Sequence, residues 1–250
     1  MSRPTLVAVA HGSRNPAAQA NISALLDAVR AARPCLDVRE AFVELAAPSL
    51  PDVLATVSGD VAVVPLLLGN GYHIAHDVAG VAQFHRPGTP CAPALGPDPL
   101  LVTALADRLA EAETWGKASS GDDTPSGDST GPVVLAVAGS SDPRSHADAE
   151  AVAGMLADRL RRPVIAAYNS ATSPSVVETV AQLRAAGHRP VSVATYLLSP
   201  GRFSAEVRQC GADVVSDPLV VHPAIVQLVL RRYDEACNSV VVQKTVAGLL

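Results

Sequence analysis

Short runs of Val, Ala and Leu alternate along the chain with longer stretches in which apolar residues recur every three or four positions. Thr5 to Ala10, Val38 to Glu44 and Val61 to Leu67 are of the first kind, and runs this short and this apolar predict strands buried on both faces. Pro16 to Arg33 and Pro48 to Val57 are of the second kind, with Ala, Leu, Ile and Val at helical spacing. Strand therefore alternates with helix, an order that gives right-handed βαβ units and a parallel sheet. Asn15 before Pro16 pairs a good N-cap with a first-turn proline and marks the first strand-to-helix junction.

The pattern occurs twice. LVAVAHGSRNP from Leu6 is echoed by VLAVAGSSDP from Val134, and AFVELAAPSLPDV from Ala41 by AYNSATSPSVVETV from Ala167, with Pro48 opposite Pro174 and Ser49 opposite Ser175. LLGNGYHIAHDV from Leu67 answers to LLSPGRFSAEV from Leu197, with Gly71 opposite Gly201. Self-similarity over so long a period means two whole domains, since solenoid repeats are much shorter. Between the copies, residues 114–132 read TWGKASSGDDTPSGDSTGP, a stretch too polar to bury and too Gly-rich for a helix. The expected organisation is α/β, two similar doubly wound parallel-sheet domains from an internal duplication, at 1–113 and 133–237, joined by a flexible linker over 114–132 and followed by a tail over 238–250.

Composition narrows the function classes. With 48% hydrophobic and 3% aromatic residues in 250, the core must be built from Ala, Val and Leu, as in sheets covered on both faces. The formal charge of −5 and the absence of any Lys/Arg cluster argue against a nucleic-acid partner. No uncharged run approaches a membrane span, and no signal peptide is evident, so a cytoplasmic protein without a membrane partner is expected. Cys35, Cys91, Cys210 and Cys237 lie far apart without C-x-x-C spacing, which speaks against an iron–sulfur cluster and for small buried hydrophobes. No G-x(4)-G-K-[ST] motif occurs, so no P-loop is available to couple ATP hydrolysis.

In an open parallel sheet ligands bind beyond the carboxyl ends of the strands. His11, Glu44 and His73 stand at or just past the ends of the first three strands. Two imidazoles and a carboxylate, with no thiolate nearby, suit divalent Fe, Co, Ni or Zn. The duplication sharpens the reading, because the second copy places Gly139, Ser170 and Phe203 opposite these three residues. Ligands missing together from one copy are expected if the other alone does chemistry.

VAVAHGSRNPAAQ, AFVELAAPSLPDV and PLLLGNGYHIAHDV together resemble the sirohydrochlorin chelatase family, the class II chelatases in their long two-domain form. The resemblance implies an N-terminal catalytic domain and a degenerate C-terminal one. It implies His11 and His73 as metal ligands, Glu44 as a ligand or proton acceptor, and Asp77 at the acidic position that follows the second histidine. The GNGY loop at Gly69 to Tyr72 departs from the basic residue or proline common there in the family.

The activity implied is insertion of a divalent metal, Fe²⁺ first and Co²⁺ next, into sirohydrochlorin, in siroheme or cobalamin biosynthesis. Imidazole ligates only when neutral, so metal binding is expected to weaken in acid. The tetrapyrrole partner carries eight carboxylates, for which Ser13, Arg14 and His76 are the expected holders. His85, His146, His188 and His222 have no partner pattern and are expected to be structural or exposed. Two other functions compete: a histidine phosphatase, disfavoured because Ala10 and not Arg precedes His11, and a metal or tetrapyrrole carrier using the same histidines. The expected assembly is a monomer of two fused domains or a weak homo-oligomer.

Overall fold

The computed structural model describes residues 3–69, 78–120 and 131–247. In chain order its elements are β1 (Thr5–Ala10), α1 (Pro16–Ala32), β2 (Val38–Phe42), α2 (Leu50–Thr56), β3 (Val61–Pro65), α3 (Ala79–His85) and α4 (Pro99–Ser120). The series repeats as β4 (Val133–Val137), α5 (Pro143–Leu160), β5 (Val164–Tyr168), α6 (Val176–Ala185), β6 (Ser192–Tyr196), α7 (Arg202–Arg208), β7 (Val214–Val215) and α8 (Pro223–Ala247). The strands form two separate, wholly parallel sheets, in the orders β2-β1-β3 and β5-β4-β6-β7. The expected pair of parallel-sheet α/β units is therefore present.

In the first unit every residue of β1 is buried. Val7 and Val9 point into a cluster with Leu50, Val53 and Leu54 of α2 and Ala82 of α3, while α1 and α8 pack together on the other side, against β2 and β3 respectively. Leu25 and Leu26 of α1 are fully buried, and each such side chain contributes about 1.5–3 kcal/mol of burial free energy. Asn15 caps α1 as expected, its Oδ1 accepting from the Ala17 N–H at 3.0 Å. The sheet edge beyond β3 carries a single parallel bridge from Val63 to Cys91, at the place that β7 takes beside β6.

The second unit repeats this layering. Val134 and Ala136 of β4 pack with Val176 and Val180 of α6 and Val207 of α7, and α4 and α5 pack together, α4 against β6 and α5 against β5. Both units thus have helices on both faces.

The compact units do not follow the linear boundaries read from the sequence. One comprises residues 1–96 with 221–250, the other residues 97–220. Helix α4, encoded by the first copy, completes the second unit, and α8, encoded by the second copy, completes the first. Thr114 to Ser120, expected in the linker, are helical, because the Gly- and Ser-rich composition begins in earnest only beyond them; residues 121–130 lie outside the described residues.

Buried or half-buried ion pairs fasten both exchanged helices. On α4, Glu113 receives Arg162 Nη1 at 2.7 Å and the Ser192 hydroxyl at 2.9 Å, with the two ionic side chains only 16% and 9% exposed. On α8, Asp234 receives both terminal nitrogens of Arg33, at 2.5 and 2.8 Å, and the Tyr233 hydroxyl donates to the Pro4 carbonyl at 2.7 Å.

Candidate metal and substrate site

The site is built by two loops at the carboxyl end of the first sheet. β1 and β2 pair in register to Ala10 and Phe42. The ladder runs two bonds further, the Val43 N–H donating to the Ala10 carbonyl at 2.9 Å and the Glu44 N–H to the His11 carbonyl at 3.0 Å. Glu44 thus lies past the end of β2, where sequence periodicity alone extends the strand to include it. Leu45 then turns the chain with φ 62°.

The approach of the two loops requires Gly12. Its φ is +100°, and a Cβ built on it would stand 1.7 Å from the Glu44 carbonyl oxygen, far inside any permitted contact. The result is that His11 Nε2 and Glu44 Oε1 lie 3.5 Å apart, both side chains 57% exposed. That is long for a hydrogen bond. It fits two ligands of one ion, since donors about 2.1 Å from a tetrahedral metal stand about 3.4 Å from each other.

Ser13 is engaged in the turn, its hydroxyl accepting from the Asn15 N–H at 3.1 Å and its carbonyl from Gln19 Nε2 at 2.6 Å. Arg14 is exposed beside it and makes no ion pair among the described residues. His73, His76 and Asp77 lie outside the described residues, so of the expected ligands the structure brings His11 and Glu44 together.

The second unit preserves the frame of this site and corrects the register of the repeat. Gly139 has φ +96°, and a Cβ there would meet the Ser170 carbonyl oxygen at 2.0 Å; the Asn169 N–H donates to Val137 as Val43 does to Ala10; Ala171 has φ 65°. The Ala47–Pro48 and Ser173–Pro174 peptides are both cis. Gly139 is therefore the counterpart of Gly12, and Ala138, not Gly139, stands opposite His11. Ser170 does stand opposite Glu44, and its hydroxyl donates to the Ala138 carbonyl at 2.9 Å. Phe203, opposite His73 in the sequence, lies under the Arg202 guanidinium at 5.6 Å from the ring centre. His146, expected to be structural or exposed, stays within the second unit, with Nε2 2.7 Å from the Ser140 carbonyl.

The CbiX family model matches residues 5–112 and 132–236, nearly the whole of both copies. The chain belongs to the CbiX family. Other comparisons agree with the CbiX match. SirB from Bacillus subtilis with Fe³⁺ is 26% identical with a TM-score of 0.75, over 95% of this chain and 97% of that one. The sirohydrochlorin chelatase SirB from Bacillus subtilis subspecies spizizenii in complex with cobalt shares the CbiX-type fold, with a TM-score of 0.73 at 23% identity over 94% and 96% of the two chains. A sirohydrochlorin cobaltochelatase of Methanosarcina acetivorans is 29% identical over 87 residues, 33% of this chain and 67% of that relative.

Sequence reasoning pointed to His11 and Glu44 but missed two residues that shape their surroundings. Gly12 could have been found, since the Gly recurs at Gly139. Leu45 leaves no such trace, because its backbone conformation is shared with an alanine, Ala171.

Proposed function

We propose that this chain is a sirohydrochlorin chelatase that inserts a divalent metal, Fe²⁺ in the first place and Co²⁺ next, into its tetrapyrrole without ATP, for siroheme or cobalamin synthesis. The observation that carries the reading is the 3.5 Å approach of His11 Nε2 to Glu44 Oε1 at the carboxyl end of β1 and β2, in a unit whose twin keeps the same backbone with Ala138 and Ser170 instead. Membership of the CbiX family and the iron and cobalt bound to the SirB relatives support it.

Insertion sets two tasks: the metal is held while it sheds its other ligands, and two pyrrole N–H protons are removed. His11, with His73 from the segment of chain that follows β3, holds the metal. Glu44 shares the ion and then accepts one proton as the macrocycle takes the metal over, the second passing to solvent water, which reaches the half-exposed pair. Arg14, Ser13 and His76 receive peripheral carboxylates of the substrate, and that remote binding energy draws the ring onto the metal.

The test is the anaerobic absorbance of sirohydrochlorin mixed with the protein and Fe²⁺ or Co²⁺, against metal alone and against His11→Ala. A spectral shift faster than the metal-only reaction and dependent on His11 supports the enzyme and ranks the metals. Binding of metal or tetrapyrrole without acceleration would make the chain a carrier.

A further inference from the structure

Leu45 is the largest apolar side chain exposed at the described part of the site, 49% accessible although few large hydrophobics are exposed among the described residues. It follows Glu44 directly, and the Glu44 carbonyl before it and the Ala46 nitrogen after it both lie against Gly12, so its backbone is held at the seam of the His11-bearing and Glu44-bearing loops. Its φ of 62° is left-handed, a conformation that disfavours a bulky side chain and suits Gly or Asn. The second unit shows that this backbone does not call for leucine, since Ala171 adopts φ 65° at the equivalent place. A leucine kept in an unfavourable conformation, half in water, beside the ligands and absent from the ligand-free twin is accounted for by a partner that covers it.

Resting on the chelatase reading above, we infer that Leu45 is a positioning residue for the substrate: its methyl groups form the apolar seat on which one face of the tetrapyrrole ring lies while the metal is held at His11 and Glu44. The ring presents broad apolar faces around its central nitrogens and is acidic at its rim, so seating it needs an uncharged contact near the metal and cationic contacts further out. Arg14, exposed on the β1–α1 loop, is of the second type. Leu45 is of the first.

The experiment compares steady-state metal insertion and Co²⁺ binding in the full chain for wild type, Leu45→Ala, Leu45→Asn and Leu45→Met. Asn suits the left-handed backbone, so that variant keeps its thermal stability while losing the apolar contact. Expected are a KM for sirohydrochlorin raised about tenfold in the Ala and Asn variants, near-wild-type KM in Met, and an unchanged Co²⁺ dissociation constant in all. An unchanged KM in both Ala and Asn, with wild type active, overturns the role of Leu45 alone. A wild-type protein that does not accelerate insertion overturns the chelatase reading, and the seat with it.

Discussion

The α-carbon of Gly12 lies against the carbonyl oxygen of Glu44, so closely that a methyl group on it would stand 1.7 Å from that oxygen. This contact joins the loops bearing His11 and Glu44, the two described candidate ligands. Gly12→Ala must push them apart, and with φ at +100° it carries backbone strain as well, together on the order of 1–3 kcal/mol of stability. Displacing Glu44 from His11 by about an ångström is expected to lower metal insertion on the order of a hundredfold. Gly139→Ala, with the same geometry in the ligand-free unit, should lose comparable stability and keep its Co²⁺ affinity; parallel urea melts and Co²⁺ titrations of the two variants separate the effects.

The Glu113–Arg162 pair is expected to be the more costly of the two helix fastenings to break. Both side chains are largely buried, and Glu113→Ala leaves Arg162 an uncompensated charge, with a cost of about 3 kcal/mol. Glu113→Gln keeps an acceptor for Ser192 and should cost less. Chemical denaturation measures both, and a Glu113→Ala protein as stable as wild type would mean that α4 is held by its apolar face alone.

The capping box of α6 predicts a pH effect of definite sign. Hydrogen bonds from the Ser175 hydroxyl and backbone N–H hold the Glu178 carboxyl below the usual carboxylate range. Because the folded-state value is depressed, the stabilisation is present above the unfolded carboxylate range and is lost as pH falls through the folded value. Ser175→Ala should return the Glu178 titration, followed by carboxyl carbon NMR, toward its ordinary position and flatten that acid-side loss.

Thiol reactivity should follow burial. Cys35 is exposed, whereas burial pushes the Cys91 thiol up to about 11 and also raises that of Cys210. Alkylation of the native protein near neutral pH, read by mass spectrometry, should therefore modify Cys35 first and reach Cys91 and Cys210 only after unfolding.

How far such features can be read from sequence depends on how local their causes are. β1 and the Asn15–Pro16 start of α1 are local, and both were legible in apolar runs and cap chemistry. The meeting of His11 and Glu44 was legible because strand ends in a parallel sheet converge. Counted forward from the strand, Gly139 falls opposite His11; the left-handed φ shared by Gly12 and Gly139 sets the register one residue away, as does counting back from Pro16 and Pro143. The destinations of α4 and α8 were not legible for a different reason. An amphipathic helix shows that it has a buried face, but which sheet covers that face is settled by long-range packing, and proximity in the chain points to the wrong one.

That exchange bears on how the chain could have arisen and what it can lose. A half whose closing helix is lent to its twin cannot be discarded once its own chemistry has gone, because the survivor's sheet would be left bare where α8 lies and α4 would have nowhere to bury its apolar side. Positions such as Ala138 and Ser170, which stand opposite His11 and Glu44, are free to drift, while the layers beneath them are not. Proteolysis between residues 120 and 131 would accordingly leave two fragments that remain bound to each other, each carrying the missing wall of the other.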